Sequence, residues 1–348
     1  MRRRQACIAL GAVATSARPA AQPPASDARR LALVIASQYV ATPTPHYVNA
    51  LLISAQRRLG RPEMARTATA ALREAVSAPG YALPTDWPRL AGYAALAEAA
   101  TLDGDTAAGA LAVQALRSVL ADTAAGPRLA GLRSWTDDMF MATLLLDRTA
   151  PLLPAQERKR AAVALTAALL HLSDRLQRPD GLFEHAEASP VAWGRGNGFA
   201  SLALAQAVAG PLQGFAAAAP LIGRLQNQLH ALLPLLGADG LWRQVLDQPS
   251  AQPELTVTAM SLTALVMARS HGWLPAGVAD AAVTRAWAGM QSRIDATGGF
   301  RDVCAGTPAG PTLDFYLQRP IVHGRDDRAA AMVLLAVQSF CREPGCSA

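Results

Sequence analysis

Apolar residues along this chain come in helix-length stretches, each entered from a short polar junction. Gly198 to Val208, Thr256 to Ala268 and Asp327 to Val337 are the clearest, and Leu51 to Leu59, Leu90 to Ala100 and Met139 to Leu146 repeat the form upstream. Three loops before or between them share one motif: Asp180-Gly181-Leu182-Phe183, Asp239-Gly240-Leu241-Trp242 and Thr297-Gly298-Gly299-Phe300. Gly181 to Gly240 and Gly240 to Gly299 are each 59 residues, a period long enough for a loop, a helix, a turn and a second helix. Polar-to-helix junctions fall near residues 47, 86, 137, 195, 256 and 327. Six helix hairpins follow, with small Ala and Gly residues that allow close packing and no sustained strand-like alternation. The natural closure is an all-α fold, an (α/α)6 barrel with two concentric rings. An open solenoid has the same period, so closure is an expectation.

Composition supports helices and a large core. The 348 residues are 51% hydrophobic and 17% charged, which leaves little room for global disorder. The hydrophobic share is mostly Ala and Leu, residues that favour helix over strand. Residues 27–348 are expected to form one domain behind a leader of residues 1–26. Met1-Arg2-Arg3-Arg4 followed by the apolar run Ala6 to Val13 has the layout of an export signal, which points to a periplasmic or secreted protein. No other segment has the length of a membrane span. The net charge of +6 comes from arginines scattered singly, so it suits a cleft for a small anion better than a nucleic-acid surface. Cys7, Cys304, Cys341 and Cys346 make no metal motif; a Cys341–Cys346 disulfide and two separate thiols fit the spacing equally.

Six inner-helix N-termini gathered at one end of a barrel would form a bowl, and the candidate chemistry lies at those junctions. Asp86, Asp137 and Thr256 each stand where a side-chain oxygen can cap a helix. Asp86 and Asp137 occupy corresponding points of successive repeats, so both would also face the bowl, and paired carboxylates suit acid/base work on a sugar. In Trp193-Gly194-Arg195-Gly196-Asn197-Gly198 the glycines bring Trp193 and Arg195 forward before a helix. A guanidinium fork suits a carboxylate and an indole face suits a sugar ring, whereas phosphate binding lacks the strand and the Lys-Ser/Thr pair it needs. His185 stands in a loop where it could bond a substrate, and the remaining histidines show no metal-ligand spacing. Trp87, Trp135, Trp193 and Trp242 all fall at junctions, as a sugar-binding bowl would place them.

Four segments in order, Trp135-Thr136-Asp137-Asp138-Met139-Phe140-Met141, Asp180 to His185, Trp193 to Gly198 and Asp239 to Asp247, resemble the signatures of the unsaturated glucuronyl and rhamnogalacturonyl hydrolases, glycoside hydrolase families 88 and 105. The likeness runs from about Asp86 to Arg328. It implies an (α/α)6 barrel acting on a small unsaturated oligosaccharide, in which an aspartate protonates C4 of a 4,5-unsaturated uronic acid and water adds at C5. By matching motifs that aspartate is Asp137, with Asp86 as the second carboxylate. Trp135, His185, Trp193, Arg195, Asn197 and Trp242 are the implied substrate contacts, and no metal or organic cofactor is implied. Two regions depart from the pattern. The first repeat, around His46-Tyr47, is assigned no site residue, and Gly324-Arg325-Asp326-Asp327-Arg328 matches only part of the family. An inverting glycosidase on the same barrel and a non-catalytic carbohydrate-binding solenoid remain as alternative readings.

Overall fold

The computed structural model describes residues 25–275 and 277–340. The expected leader up to residue 24, together with Cys7, Cys341 and Cys346, lies outside them.

Two kinds of helix alternate. One kind is buried nearly all round: α2 (Tyr47–Arg58), α5 (Ala94–Asp103) with the short α4 (Trp87–Leu90) before it, α7 (Thr136–Thr149), α9 (Gly194–Ala209), α11 (Leu255–Ser270) and α14 (Asp327–Phe340). A helix apolar on every side must have neighbours on every side, so these form the inner ring. The second kind buries one stripe. In α3 (Pro62–Ser77) the buried residues are Ala65, Thr69, Leu72 and Val76, steps of four and three along one face. The other outer helices are α1 (Ala25–Gln38), α6 (Thr106–Arg117), α8 (Ala155–Leu176), α10 (Ala219–Leu232) and α12 (Asp280–Gln291).

The inner helices pack in the order α2, α5, α7, α9, α11, α14, and α14 returns against α2. The ring is therefore closed, which excludes the open solenoid. The sixth hairpin is assembled from both ends of the chain, since α1 packs on α14. Ile35 and Tyr39 secure that seam: both are buried, and the Tyr39 hydroxyl donates to the Gly298 carbonyl at 3.1 Å.

The repeated glycines have a local cause. Gly181, Gly240 and Gly298 adopt φ of +93°, +75° and +86°, so the third equivalent is Gly298 rather than Gly299. A Cβ at Gly240 would also lie 2.3 Å from the Arg285 carbonyl oxygen of α12. Glycine is thus required both by backbone conformation and by close approach to the outer helix.

Two short antiparallel hairpins interrupt the helices, β1 (Leu120–Thr123) with β2 (Gly126–Leu129) and β3 (Phe300–Cys304) with β4 (Ile321–Gly324). The β3–β4 connection carries α13 (Leu313–Leu317). This excursion, Phe300 to Gly324, falls between the fifth and sixth inner helices and lies outside the helix-hairpin repeat.

Candidate active site

The N-terminal ends of α2, α4, α7 and α14 surround a cavity of about 890 Å3, lined by Tyr47, Arg89, Asp137, Arg325, Asp326 and Arg328 among others. Positive ends of helix dipoles converge there, which favours an anionic ligand. A second cavity of about 300 Å3 lies at the opposite end, among the last turns of α7, α9, α11 and α14 at Asp147, Gln206, Ser270 and Gln338. The first sets Asp137 beside His46, Tyr47 and three arginines, the second Asp147 beside Arg148 and His271, and the motif residues fall at the first.

Asp137 stands in the first turn of α7, whose N-cap is Trp135. It is thus not the cap residue that its position suggested, and its carboxylate is free to turn toward the cavity. Its Oδ2 lies 3.2 Å from His185 Nε2. The other imidazole nitrogen, Nδ1, lies 2.5 Å from the Tyr316 hydroxyl, which also accepts the Gly310 amide at 3.1 Å. His185 is fully buried, with its ring centroid 5.3 Å from that of Trp135 and 4.3 Å from that of Trp193. The imidazole loop is tied to α7 by the Thr136 amide, which donates to the His185 carbonyl at 3.1 Å.

Asp138 points away into the protein and is fully buried, not a surface group. It accepts the Arg133 amide at 2.7 Å and the Arg133 guanidinium at 2.7 and 3.2 Å. Burial holds its carboxyl above the ordinary aspartate range, although Arg133 works against that. The pairing also sets the Arg133 guanidinium 4.2 Å above the Trp135 ring. Asp138 therefore shapes the loop that presents Trp135, which is partly exposed and packs against His185.

Asp86 lies at the rim. It caps α4 by accepting the Arg89 amide at 3.1 Å and sits 3.4 Å from the Arg89 guanidinium, so it is engaged with its own helix and makes no bond to Asp137. On α11 the cap is Glu254, which accepts the Val257 amide at 2.7 Å, rather than Thr256.

Four more expected substrate contacts lie, like His185, beneath the bowl rather than on its surface. Arg195 is buried and donates to Thr256 Oγ1 at 2.8 Å, to the carbonyls of Cys304 and Ala305, and to Glu254 at 3.4 Å. Burial disfavours the Arg195 charge, but Glu254, Cys304, Tyr47 and Asp326 together outweigh it and hold it above its usual value. The reason is the β3–α13–β4 excursion, which covers the N-termini of α9 and α11 and takes up the fork. Trp193 is fully buried between His185 and Arg195. Asn197 clips the loop before α9, donating to the carbonyls of Phe183 and Trp193 and accepting the Phe183 amide at 2.8 Å. Trp242 is a core residue whose Nε1 donates to the Leu232 carbonyl at 2.8 Å.

The site also holds residues that the sequence reading passed over. His46 and Tyr47 of the first repeat both line the cavity. Tyr47 packs edge-on against Phe140 and Phe199, and burial pushes its phenol up to about 12, with Arg195 and Arg328 partly opposing. Burial lowers His46, and the nearby Arg328 charge adds to the effect. Arg328 is the inner of the cavity cations, 3.8 Å from Asp326. Tyr316 carried no sequence signal because its loop is outside the repeat. For Arg325 to Arg328 the signal was present, as a departure from the family pattern.

Residues 128–342 match the model of Glycosyl Hydrolase Family 88. The chain belongs to that family. It is thus a glycoside hydrolase, and the family expectation drawn from its motifs holds. Over 198 residues it is 29% identical to the unsaturated rhamnogalacturonyl hydrolase YesR of Bacillus subtilis (strain 168), a match spanning about half of each chain, 54%. Solved structures share the fold. A candidate family 105 member from Klebsiella pneumoniae superposes with a TM-score of 0.79 at 19% identity, covering 97% of this chain and 99% of that one. A family 88 glycosyl hydrolase from Bacteroides vulgatus gives 0.75 at 15% identity, covering 92% and 99%. The unsaturated glucuronyl hydrolase of Bacillus sp. GL1 gives 0.63 at 15% identity, covering 91% and 95%.

Proposed function

We propose that this family 88 member removes a 4,5-unsaturated uronic acid from the non-reducing end of oligosaccharides released by polysaccharide lyases. The observation that carries the reading is the Asp137 carboxylate in the wall of a bowl it shares with Tyr47 and three arginines, with Oδ2 tied to His185 and the other oxygen free for a substrate. Asp137 gives its proton to C4 of the vinyl ether, and the carboxylate so formed takes a proton from the water that adds at C5. The net change is addition of one water. The C5 hemiketal opens, and the aglycone departs with its own glycosidic oxygen.

Arg328, not Arg195, meets the uronate carboxylate. It lies in the cavity wall beside Tyr47, and its one loose ion pair leaves donors free for a charge-assisted bond. Trp135 offers the sugar a ring face stiffened by the Arg133 guanidinium. The name of the Bacillus subtilis relative favours an unsaturated galacturonyl residue linked to rhamnose as the substrate class. The basic-then-apolar leader supports work in the periplasm or outside the cell. Among the described residues no helix is long and apolar enough to cross a membrane.

The test is a panel of lyase-generated unsaturated disaccharides, followed by loss of the near-ultraviolet absorbance of the conjugated double bond. Decay with at least one member supports the reading. No decay with any, alongside cleavage of a saturated glycoside, overturns it in favour of an inverting glycosidase.

A further inference from the structure

We propose that Tyr316 is a positioning residue whose hydroxyl fixes the ring tautomer of His185 and so reserves one particular oxygen of Asp137 for the substrate. The last step of this chain rests on the role proposed above for Asp137; the tautomer does not.

Proton counting carries the inference. Tyr316 is fully buried, so its hydroxyl has no water to turn to. A phenol has one proton to give and can accept others. The Gly310 amide donates to it at 3.1 Å, and its other close partner is His185 Nδ1 at 2.5 Å. Were Nδ1 protonated, both nitrogens would donate to the phenolic oxygen, and the phenol's own proton would have to leave the 2.5 Å imidazole contact for the one other acceptor in reach among the described residues, the Ser189 hydroxyl oxygen. The Tyr316 proton therefore goes to Nδ1. Ser189 gives its own proton to the Gly310 carbonyl, 2.6 Å away, so its oxygen is the competing acceptor that Ser189→Ala removes.

With Nδ1 an acceptor, the ring proton of neutral His185 is on Nε2 and is donated to Asp137 Oδ2 at 3.2 Å. The Thr136 hydroxyl is also 3.4 Å from that oxygen. Oδ1 receives no hydrogen bond among the described residues. The single Thr136 proton is shared with the His185 carbonyl, also at 3.4 Å, so the imidazole is the committed donor on Oδ2, and it leaves the acidic proton of Asp137 on Oδ1, the oxygen without a hydrogen bond. A residue on α13, 131 positions from His185 and outside the six-fold repeat, thereby directs the proton of the reaction. Its ring is held for this by Trp193 and Phe315, at centroid distances of 6.2 and 5.3 Å.

Tyr316→Phe keeps the ring and removes only the proton donor. The Nδ1–H tautomer then ceases to be excluded; in it Nε2 accepts from Asp137 and draws the acidic proton onto Oδ2, away from the alkene. Turnover should fall about tenfold while KM changes by less than about twofold, the split expected when an orienting bond rather than a binding contact is lost. The direct readout needs no substrate. In 15N-histidine NMR of the whole chain, with the His185 signal assigned by its absence from His185→Gln, the wild type should show Nε2 protonated and Nδ1 unprotonated. Tyr316→Phe should lose that pattern, and Ser189→Ala should retain it. An Nδ1-protonated His185 in the wild type, or an unchanged His185 spectrum in Tyr316→Phe, would overturn the proposal. So would a spectrum altered by Ser189→Ala instead, which would mean that the phenolic proton goes to the serine. If the NMR pattern holds in a protein inert toward every unsaturated sugar, the tautomer assignment is supported and the proposed reaction alone fails.

Discussion

Arg195 and Glu254 are joined at 3.4 Å, with both side chains almost wholly withdrawn from water. Glu254 also caps α11 and accepts the Cys304 amide at 3.0 Å, so one carboxylate ties together α9, α11 and the end of β3. Removing one member of such a pair leaves the other as an uncompensated buried charge. Glu254→Ala should therefore cost about 3–5 kcal/mol of stability in urea unfolding. Arg195→Ala should behave alike. A rise in KM at unchanged stability for Arg195→Ala would instead restore it as a substrate ligand.

Arg328 should show the opposite behaviour. Its side chain is about one-third exposed and loosely paired, so Arg328→Ala should alter unfolding by no more than roughly 0.5 kcal/mol. If it binds the uronate, KM for an unsaturated disaccharide should rise at least about tenfold, the loss of one charge-assisted bond. An unchanged KM would place the carboxylate against another residue of the bowl.

Tyr47 makes stability depend on alkaline pH. Its phenol is raised from 10.0 to about 12 by burial, so folding favours the protonated form. The sign follows: the contribution is fully present below pH 10 and is lost as pH climbs through about 12. The loss across that window is about 3 kcal/mol, at roughly 1.4 kcal/mol per pH unit. Urea unfolding of wild type and Tyr47→Phe between pH 9 and 12 checks it, since the variant should lack this component of the decline. Parallel curves would show that Tyr47 does not carry it.

The fold was largely legible because it is periodic. The repeated loop glycines, Gly181, Gly240 and Gly298, marked positive-φ turns pressed against outer helices, although the spacing had pointed to Gly299 for the third, and all-round apolar stretches marked the inner ring. Closure was not legible, since the contact of α14 with α2 and the borrowing of α1 for the last hairpin join residues far apart in sequence. Asp137, His185 and Trp135 were singled out by their motifs, and the structure brings them together, with Asp137 in the cavity wall and His185 buried behind it. Arg195 and Trp193 lie under the β3–α13–β4 excursion, which covers two of the six helix ends and follows no period, while Asn197 and Trp242 are taken up by the loop before α9 and by the core. Tyr47 went unassigned because its repeat is the most degenerate, although its ring takes the inner-helix position that the repeat predicts.

The most direct test of the central claim uses an unsaturated uronide joined to its aglycone through carbon rather than oxygen. In the proposed mechanism Asp137 protonates the ring alkene before any bond to the aglycone breaks, so the wild type should consume the near-ultraviolet absorbance of this uncleavable analogue while Asp137→Asn, folded as judged by circular dichroism, should not. If the wild type leaves the analogue's absorbance intact while cleaving the oxygen-linked parent, the glycosidic bond is the point of attack, and hydration by Asp137 is contradicted.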